Sequence, residues 1–315
     1  MHALRIPAVR PARRRTCLAT LAALGLLACA SGGATEPGAG SRAENRSERP
    51  EAAARAPSTG DYAAHMAKLQ RKLTPGMTAR IHPPFVVIGD EPAATVERRA
   101  RRIVQRTASA LRKDFFDRDP GIIDIWMFGD ALSYATHTER LHGRPPFTPY
   151  GFYVAEERAI YTNIATGGGT LIHEIVHPYM EANFPDCPAW YNEGLGSLFE
   201  AVSIHEGSLY GRLNWRLAGL RESIEAGTLP TLARIVATSE EEFYADDTGN
   251  HYAAARYLLY YLQERKHLRR FHRELLAGHD RDPSGRATLE RVLGQDLPSF
   301  EPRFRRWVLS LPSGS

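Results

Sequence analysis

Three side chains within five residues, His173, Glu174 and His177 in the run His173-Glu174-Ile175-Val176-His177, are the part of this chain best suited to chemistry. On a helix, four residues advance only about 40° around the axis and about 6 Å along it, so the two imidazoles leave the same face. Two neutral imidazoles on one rigid element are ligands for zinc. Glu174 is one step further round, beside the metal and not on it, where it can accept the proton of a water that the ion acidifies.

The flanking residues are those that would set such a helix in place. Ala159-Ile160-Tyr161-Thr162 reads as a short strand, Gly167-Gly168-Gly169 as a turn, and Thr170 as the cap of a helix that carries the motif. Pro178 follows the second histidine directly. Proline removes a backbone donor and clashes with the carbonyl four residues back, so the spacing predicts a kink there or an early end to the helix.

Zinc takes a third protein ligand and keeps an open position for water. The pattern that would place it at once, H-E-x-x-H-x-x-G-x-x-H, is excluded because positions 180 and 183 are Met180 and Asn183. The preferred ligand is Glu193, sixteen positions beyond His177 in Trp190-Tyr191-Asn192-Glu193-Gly194-Leu195, with Glu181, Asp186, Glu200 and His205 as rivals. Leu195, Leu198, Phe199 and Val202 recur at helical spacing, and Pro185 and Pro188 supply a turn between this helix and the first. Gly194 and Gly196 weaken a helix unless something packs closely against them, and the zinc helix is the expected neighbour.

His173-Glu174-x-x-His177 followed by Trp190-x-Asn192-Glu193-Gly194-Leu195 resembles the gluzincin group of zinc metallopeptidases, over about residues 150 to 205. The resemblance implies a zincin-like fold, a site of His173, His177 and Glu193 around Zn2+, and hydrolysis of peptide or protein substrates with Glu174 as base. It also implies a donor for the developing oxyanion from the C-terminal part of the chain, for which Tyr252 or His251 is the candidate. In one respect the chain departs from the pattern. Many gluzincins carry an Asp four residues after the Glu ligand to orient a metal-bound imidazole, and here that position is Ser197.

The elements around the motif read as α+β. Phe85-Val86-Val87-Ile88 and Ile122 to Phe128 look like strands flanking a helix whose Val96, Ala100, Ile103, Val104, Thr107, Leu111 and Phe115 keep helical spacing, a β-α-β unit. Phe152-Tyr153-Val154-Ala155 and Ala159 to Thr162 suggest a hairpin leading into the zinc helix, and a strand beside that helix can take an extended peptide by strand addition. Past residue 205 the chain reads as mostly helical. Tyr252, Arg256, Leu259 and Leu262 mark one helix, Leu289, Val292 and Leu293 another, and Phe300, Phe304, Trp307 and Val308 a third. The expectation is a small N-terminal mixed sheet with flanking helices, the zinc helix, and a helical C-terminal lobe.

The N-terminus speaks for a compartment. Arg13-Arg14-Arg15 precedes an apolar run from Cys17 to Ala28 that is short for a membrane span, and Leu26-Leu27-Ala28-Cys29 resembles a bacterial lipobox. Residues 1–28 then form a signal peptide, Cys29 carries the lipid anchor, residues 29–58 are a Gly/Ala/Ser/Pro-rich tether, and 59–315 the peptidase domain, outside the cytoplasm. An ordinary secretory signal is the alternative. The chain has 40 basic and 36 acidic residues, but five arginines and no acids lie in the first 28, so the basic excess belongs to the signal. No basic stripe with interleaved aromatics is present, which argues against nucleic acid. With Cys17 removed and Cys29 acylated, Cys187 is left as a lone thiol read as turn packing. A zinc-binding scaffold without turnover and a cell-wall amidase are the competing functions, and oligomeric state is not legible.

Overall fold

The computed structural model describes residues 56–312 apart from residue 247. The signal segment, Cys29 and nearly all of the tether lie outside the described residues. Among the described residues no helix is long and apolar enough to cross a membrane.

The chain is α+β. Helix α1 (Thr59–Leu69) precedes a hairpin of β1 (Thr78–His82) and β2 (Phe85–Gly89); α2 (Ala93–Arg99) runs through a π-helical segment, Ala100–Gln105, into α3 (Arg106–Asp114). Strand β3 (Ile123–Phe128), α4 (Ala131–His142), β4 (Gly151–Val154) and β5 (Ala159–Asn163) complete a five-stranded sheet in the order β1-β2-β3-β5-β4. Strands β2, β3 and β5 are parallel while β1 and β4 run antiparallel at the two edges, so the sheet is mixed. The β-α-β unit and the hairpin before the helix that carries His173 and His177 are both present.

Every residue of β2 and β3 is buried, which requires cover on both faces. The strand period of two sorts the side chains: Phe85, Val87, Ile123, Ile125, Met127 and Ile160 enter the larger core, Val86, Ile88, Trp126, Phe128 and Tyr161 a smaller one. The smaller core lies under α1 and α4 through Tyr62, Leu69 and Tyr134. Asp124 shares that face. It is buried, and His65 of α1 reaches it at 2.7 Å. Burial raises the Asp124 pKa and the His65 contact opposes that rise.

The larger core continues without a break from the sheet into the second half of the chain. Helices α5 (Gly169–Asn183) and α6 (Ala189–Leu198) are followed by a second hairpin, β6 (Val202–His205) and β7 (Ser208–Gly211). Then come α7 (Arg216–Glu225), α8 (Leu232–Val236), α9 (Glu240–Tyr244), α10 (Asn250–Glu264), α11 (Leu268–Gly278), α12 (Arg286–Leu293) and α13 (Leu297–Ser310). The helical reading beyond residue 205 omits the β6–β7 hairpin. Its local signal is Glu206-Gly207, both at positive φ (50° and 74°), which is the backbone of a two-residue hairpin turn.

Helix α10 is the axle of this half. Ala253, Ala254, Ala255, Tyr257, Leu258, Leu259, Tyr261 and Leu262 are all buried, so it is covered nearly all round. Two polar ties hold α6 among its neighbours. Trp190 Nε1 donates to the Ser284 carbonyl at 2.8 Å, and Tyr191 Oη bonds His272 Nδ1 at 2.8 Å, whose Nε2–H donates to the Phe115 carbonyl at 2.8 Å.

Candidate metal centre

Helix α5 begins earlier and less conventionally than the sequence suggests. Gly168 stands at its N-terminus without a side-chain cap, and Thr170 lies inside the first turn, so Thr170 is not the cap. The chain is crowded at this end: a Cβ on Gly169 would lie 2.3 Å from the carbonyl oxygen of Glu200, just past the end of α6, so only glycine fits there. Pro178 is buried within the helix and does not end it; α5 runs on to Asn183. The missing N–H leaves the Glu174 carbonyl without its usual helical donor, a local loosening at the turn that bears the motif.

Between the helices, Pro185 and Pro188 bracket a tight return, and α6 starts directly after Pro188. The return lays Glu193 against the two histidines. One nitrogen from each imidazole and one Glu193 oxygen all lie within 4.8 Å of one another. His173 Nε2 is 3.1 Å from Glu193 Oε2, and His177 Nε2 is 3.9 Å from Glu193 Oε1. His173 and Glu193 are buried, and His177 is nearly so. Zinc bonds of about 2.0–2.2 Å in a tetrahedral arrangement set ligand atoms about 3.4 Å apart, so these separations fit a single ion. The donor set of two imidazoles and one carboxylate is also a suitable one for a divalent transition metal. The group could hold a metal ion.

Each ligand is backed by a second polar group. His177 Nδ1 donates to Asn192 Oδ1 at 3.1 Å, leaving Nε2 for the cluster. Glu193 Oε1 accepts from Tyr244 Oη at 2.7 Å. His173 Nδ1 faces Glu200 Oε1 at 3.3 Å. Glu200, a rival ligand on sequence grounds, thus lies behind His173 and outside the ligand group. Of the other rivals, Glu181 accepts from Tyr153 Oη at 2.7 Å, while Asp186 and His205 are exposed.

The close approach expected of the glycines has two different partners. A Cβ on Gly196 would sit 3.0–3.1 Å from three atoms of the His173 ring, as anticipated. Gly194 instead meets Ala255 and Leu259 of α10, at 3.1–3.3 Å. Ser197 Oγ is buried without a hydrogen-bond partner.

The electrostatics follow from three carboxylates crowded into a buried site. Burial works to lower the His173 pKa, but its contacts with the Glu193 and Glu200 carboxylates and the charge of Glu174 outweigh it and push it up to about 10. His177 is lowered, mainly by burial. Burial opposes ionisation of Glu193, yet the two histidines bring it down to about 2. For Glu200 the Arg216 guanidinium and His173 overcome the same penalty and hold it well below the ordinary carboxylate range. Glu174 goes the other way, to about 8, because burial and the charges of Glu193 and Glu200 outweigh the help of His173 and the Tyr153 amide. Its Oε2 lies 3.8 Å from His177 Nε2.

Tyr252, in the first turn of α10, has Glu193, Glu174, Glu200 and Arg216 as its electrostatic neighbours, with burial and Glu193 foremost in raising its pKa. Its ring packs on Phe243, 5.2 Å between centroids. His251 points elsewhere, its Nδ1 bonded to the Phe243 carbonyl at 3.2 Å. Cys187 is half-buried in the turn with its thiol pKa raised by burial, and takes no part in the ligand group. Asn192, Tyr244, Asn214 and Arg216 carry no sequence signal of their own; only Asn192 falls within the motif. No model of a known family and no curated protein matches this chain.

Proposed function

We propose that the protein is a zincin-like, gluzincin-type zinc peptidase that hydrolyses peptide bonds in peptide or protein substrates. The observation that carries this reading is the meeting of His173, His177 and Glu193 in one buried group, with the Glu174 carboxylate beside it. Bound zinc would supply Lewis acidity, acidifying a water and polarising the scissile carbonyl. The Glu174 carboxyl group lies beside the ligand group, where in its charged form it can take the water proton on one oxygen and return it to the amide nitrogen as the C–N bond breaks. Water oxygen adds to the carbonyl carbon, the leaving nitrogen gains the proton, and the products are a carboxylate and an amine. The Tyr252 phenol, which has Glu193, Glu174, Glu200 and Arg216 as electrostatic neighbours, would donate to the oxygen that becomes negative. Edge strand β4 has β5 on one side only, which supports binding of an extended peptide along its free edge.

Elemental analysis of the purified protein should find about one zinc per chain, and a peptide library should be cleaved in a chelator-sensitive way. Glu174→Gln should lose at least about a hundredfold in turnover while keeping the metal. Undiminished cleavage by Glu174→Gln, or by protein stripped of metal, would overturn the mechanism. Purified peptidoglycan assayed beside unfolded protein separates a cell-wall amidase from a peptidase.

A further inference from the structure

The position that should carry an Asp to orient a metal-bound imidazole holds Ser197, whose hydroxyl makes no hydrogen bond. A carboxylate nevertheless lies behind His173. Glu200 comes seven positions after Glu193, in the turn just past the C-terminal end of α6. Its Oε1 is 3.3 Å from His173 Nδ1, on the edge of the ring away from Nε2 and Glu193. The contact is an ion-pair distance off the line of an ideal hydrogen bond, and Nδ1 has no other partner.

Glu200 is itself held on several sides. Arg216 grips both oxygens, Nε to Oε2 at 2.9 Å and Nη2 to Oε1 at 2.7 Å, and Asn214 Nδ2 donates to Oε2 at 3.1 Å. Arg216 is buried, with its guanidinium 4.4 Å from the Trp215 ring centroid and 5.4 Å from that of Tyr252. A forked pair of this kind fixes orientation in a way that a single contact does not. On its face toward α6 the His173 ring is walled by Gly196.

Resting on the metal-site reading above, we propose that Glu200, clamped by Arg216, is the positioning residue for His173, replacing the Asp that position 197 lacks. A carboxylate only accepts, so Glu200 keeps the proton on Nδ1 and presents the Nε2 lone pair to the metal. The arrangement moves the supporting carboxylate from four positions after the ligand to seven, past the end of α6, and the longer Glu side chain and the arginine clamp come with that move.

Zinc affinity measured by competition with a chromophoric chelator tests this, with circular dichroism checking the fold. Glu200→Gln should bind zinc about 10- to 100-fold more weakly. Arg286→Ala, which removes only an exposed ion pair with Glu290, should stay within about threefold of wild type. Cobalt-substituted Glu200→Gln should show a ligand-field spectrum shifted from wild type. A folded Glu200→Gln protein with wild-type zinc affinity would overturn the proposal, and failure of the wild-type protein to bind zinc would instead overturn the metal-site reading beneath it. If Glu200→Gln does not fold, nitrogen NMR of the zinc-loaded wild type decides: the proposal requires His173 coordinated through Nε2 with a proton on Nδ1, and coordination through Nδ1 defeats it.

Discussion

His173 is drawn two ways, by burial that favours the neutral ring and by three carboxylates that favour the charged one. The carboxylates win, and a pKa of about 10 means that the metal-free protein carries a proton on this ring throughout the neutral range. Zinc needs the neutral imidazole, so the ion must displace that proton. Zinc affinity should therefore rise about tenfold per pH unit across the neutral range and level off above about pH 10, with proton release visible as a buffer-dependent binding enthalpy. An affinity flat with pH would mean that His173 is already neutral. The same shift has a consequence for folding. A raised histidine pKa stabilises the metal-free fold fully below the ordinary value of 6.5, and that contribution is lost as pH rises through about 10. Bound zinc would replace it by a tie at the same atoms. The Glu174→Gln experiment belongs to this scale too, because Gln keeps the volume and removes only the basic oxygen.

At the scale of elements, the site is a contact between α5 and α6, and its tolerance is set by glycine. Gly196 lies in the body of α6, where alanine would ordinarily favour the helix by about 1 kcal/mol. Here a methyl group would press on the His173 ring at 3.0 Å, and Glu200 stands against the ring's Nδ1 edge. Gly196→Ala should therefore weaken zinc binding by roughly tenfold while changing the metal-free melting temperature little, since the gain in propensity offsets the crowding. Unchanged zinc affinity in that variant would show that the ring has room to move. Trp190 works at the other end of the same helix, where its indole is buried and bonded to Ser284. Trp190→Ala should cost about 3–5 kcal/mol in chemical denaturation, a loss of fold as well as of metal.

For the whole molecule, one continuous core joins the sheet to the C-terminal helices, so the metal group is braced from both halves of the chain. Tyr244 reaches Glu193 from α9, and Arg216 reaches Glu200 from the start of α7. The proposed anchor, Cys29, lies outside the described residues. Cys29→Ser should move the protein from the membrane fraction to the soluble fraction and abolish lipid labelling, with peptide cleavage by the purified domain unchanged. Labelling that persists in Cys29→Ser would place the anchor elsewhere or replace it by a simple secretory signal.

What the sequence determined by itself is local. Helical spacing aligned His173 with His177, the prolines between residues 185 and 188 announced a return, and the apolar runs in β2 and β3 marked buried strands, because period and turn chemistry are written into neighbouring residues. The α+β class and the candidate ligands follow from that. Tertiary structure alone decided what stands behind each ligand. Glu200 reads in the sequence only as a rival ligand, Arg216, Asn214 and Tyr244 are ordinary polar residues there, and Arg216 and Tyr244 come from elements further along the chain. The start of α5 differs from the sequence expectation in the same way: Gly168 and not Thr170 stands at its N-terminus, and Gly169 lies against the Glu200 backbone, a contact between segments that no local pattern encodes. Covalent neighbourhood sets periodicity, whereas the environment that orients an imidazole and shifts its pKa exists only after distant segments have packed and excluded water.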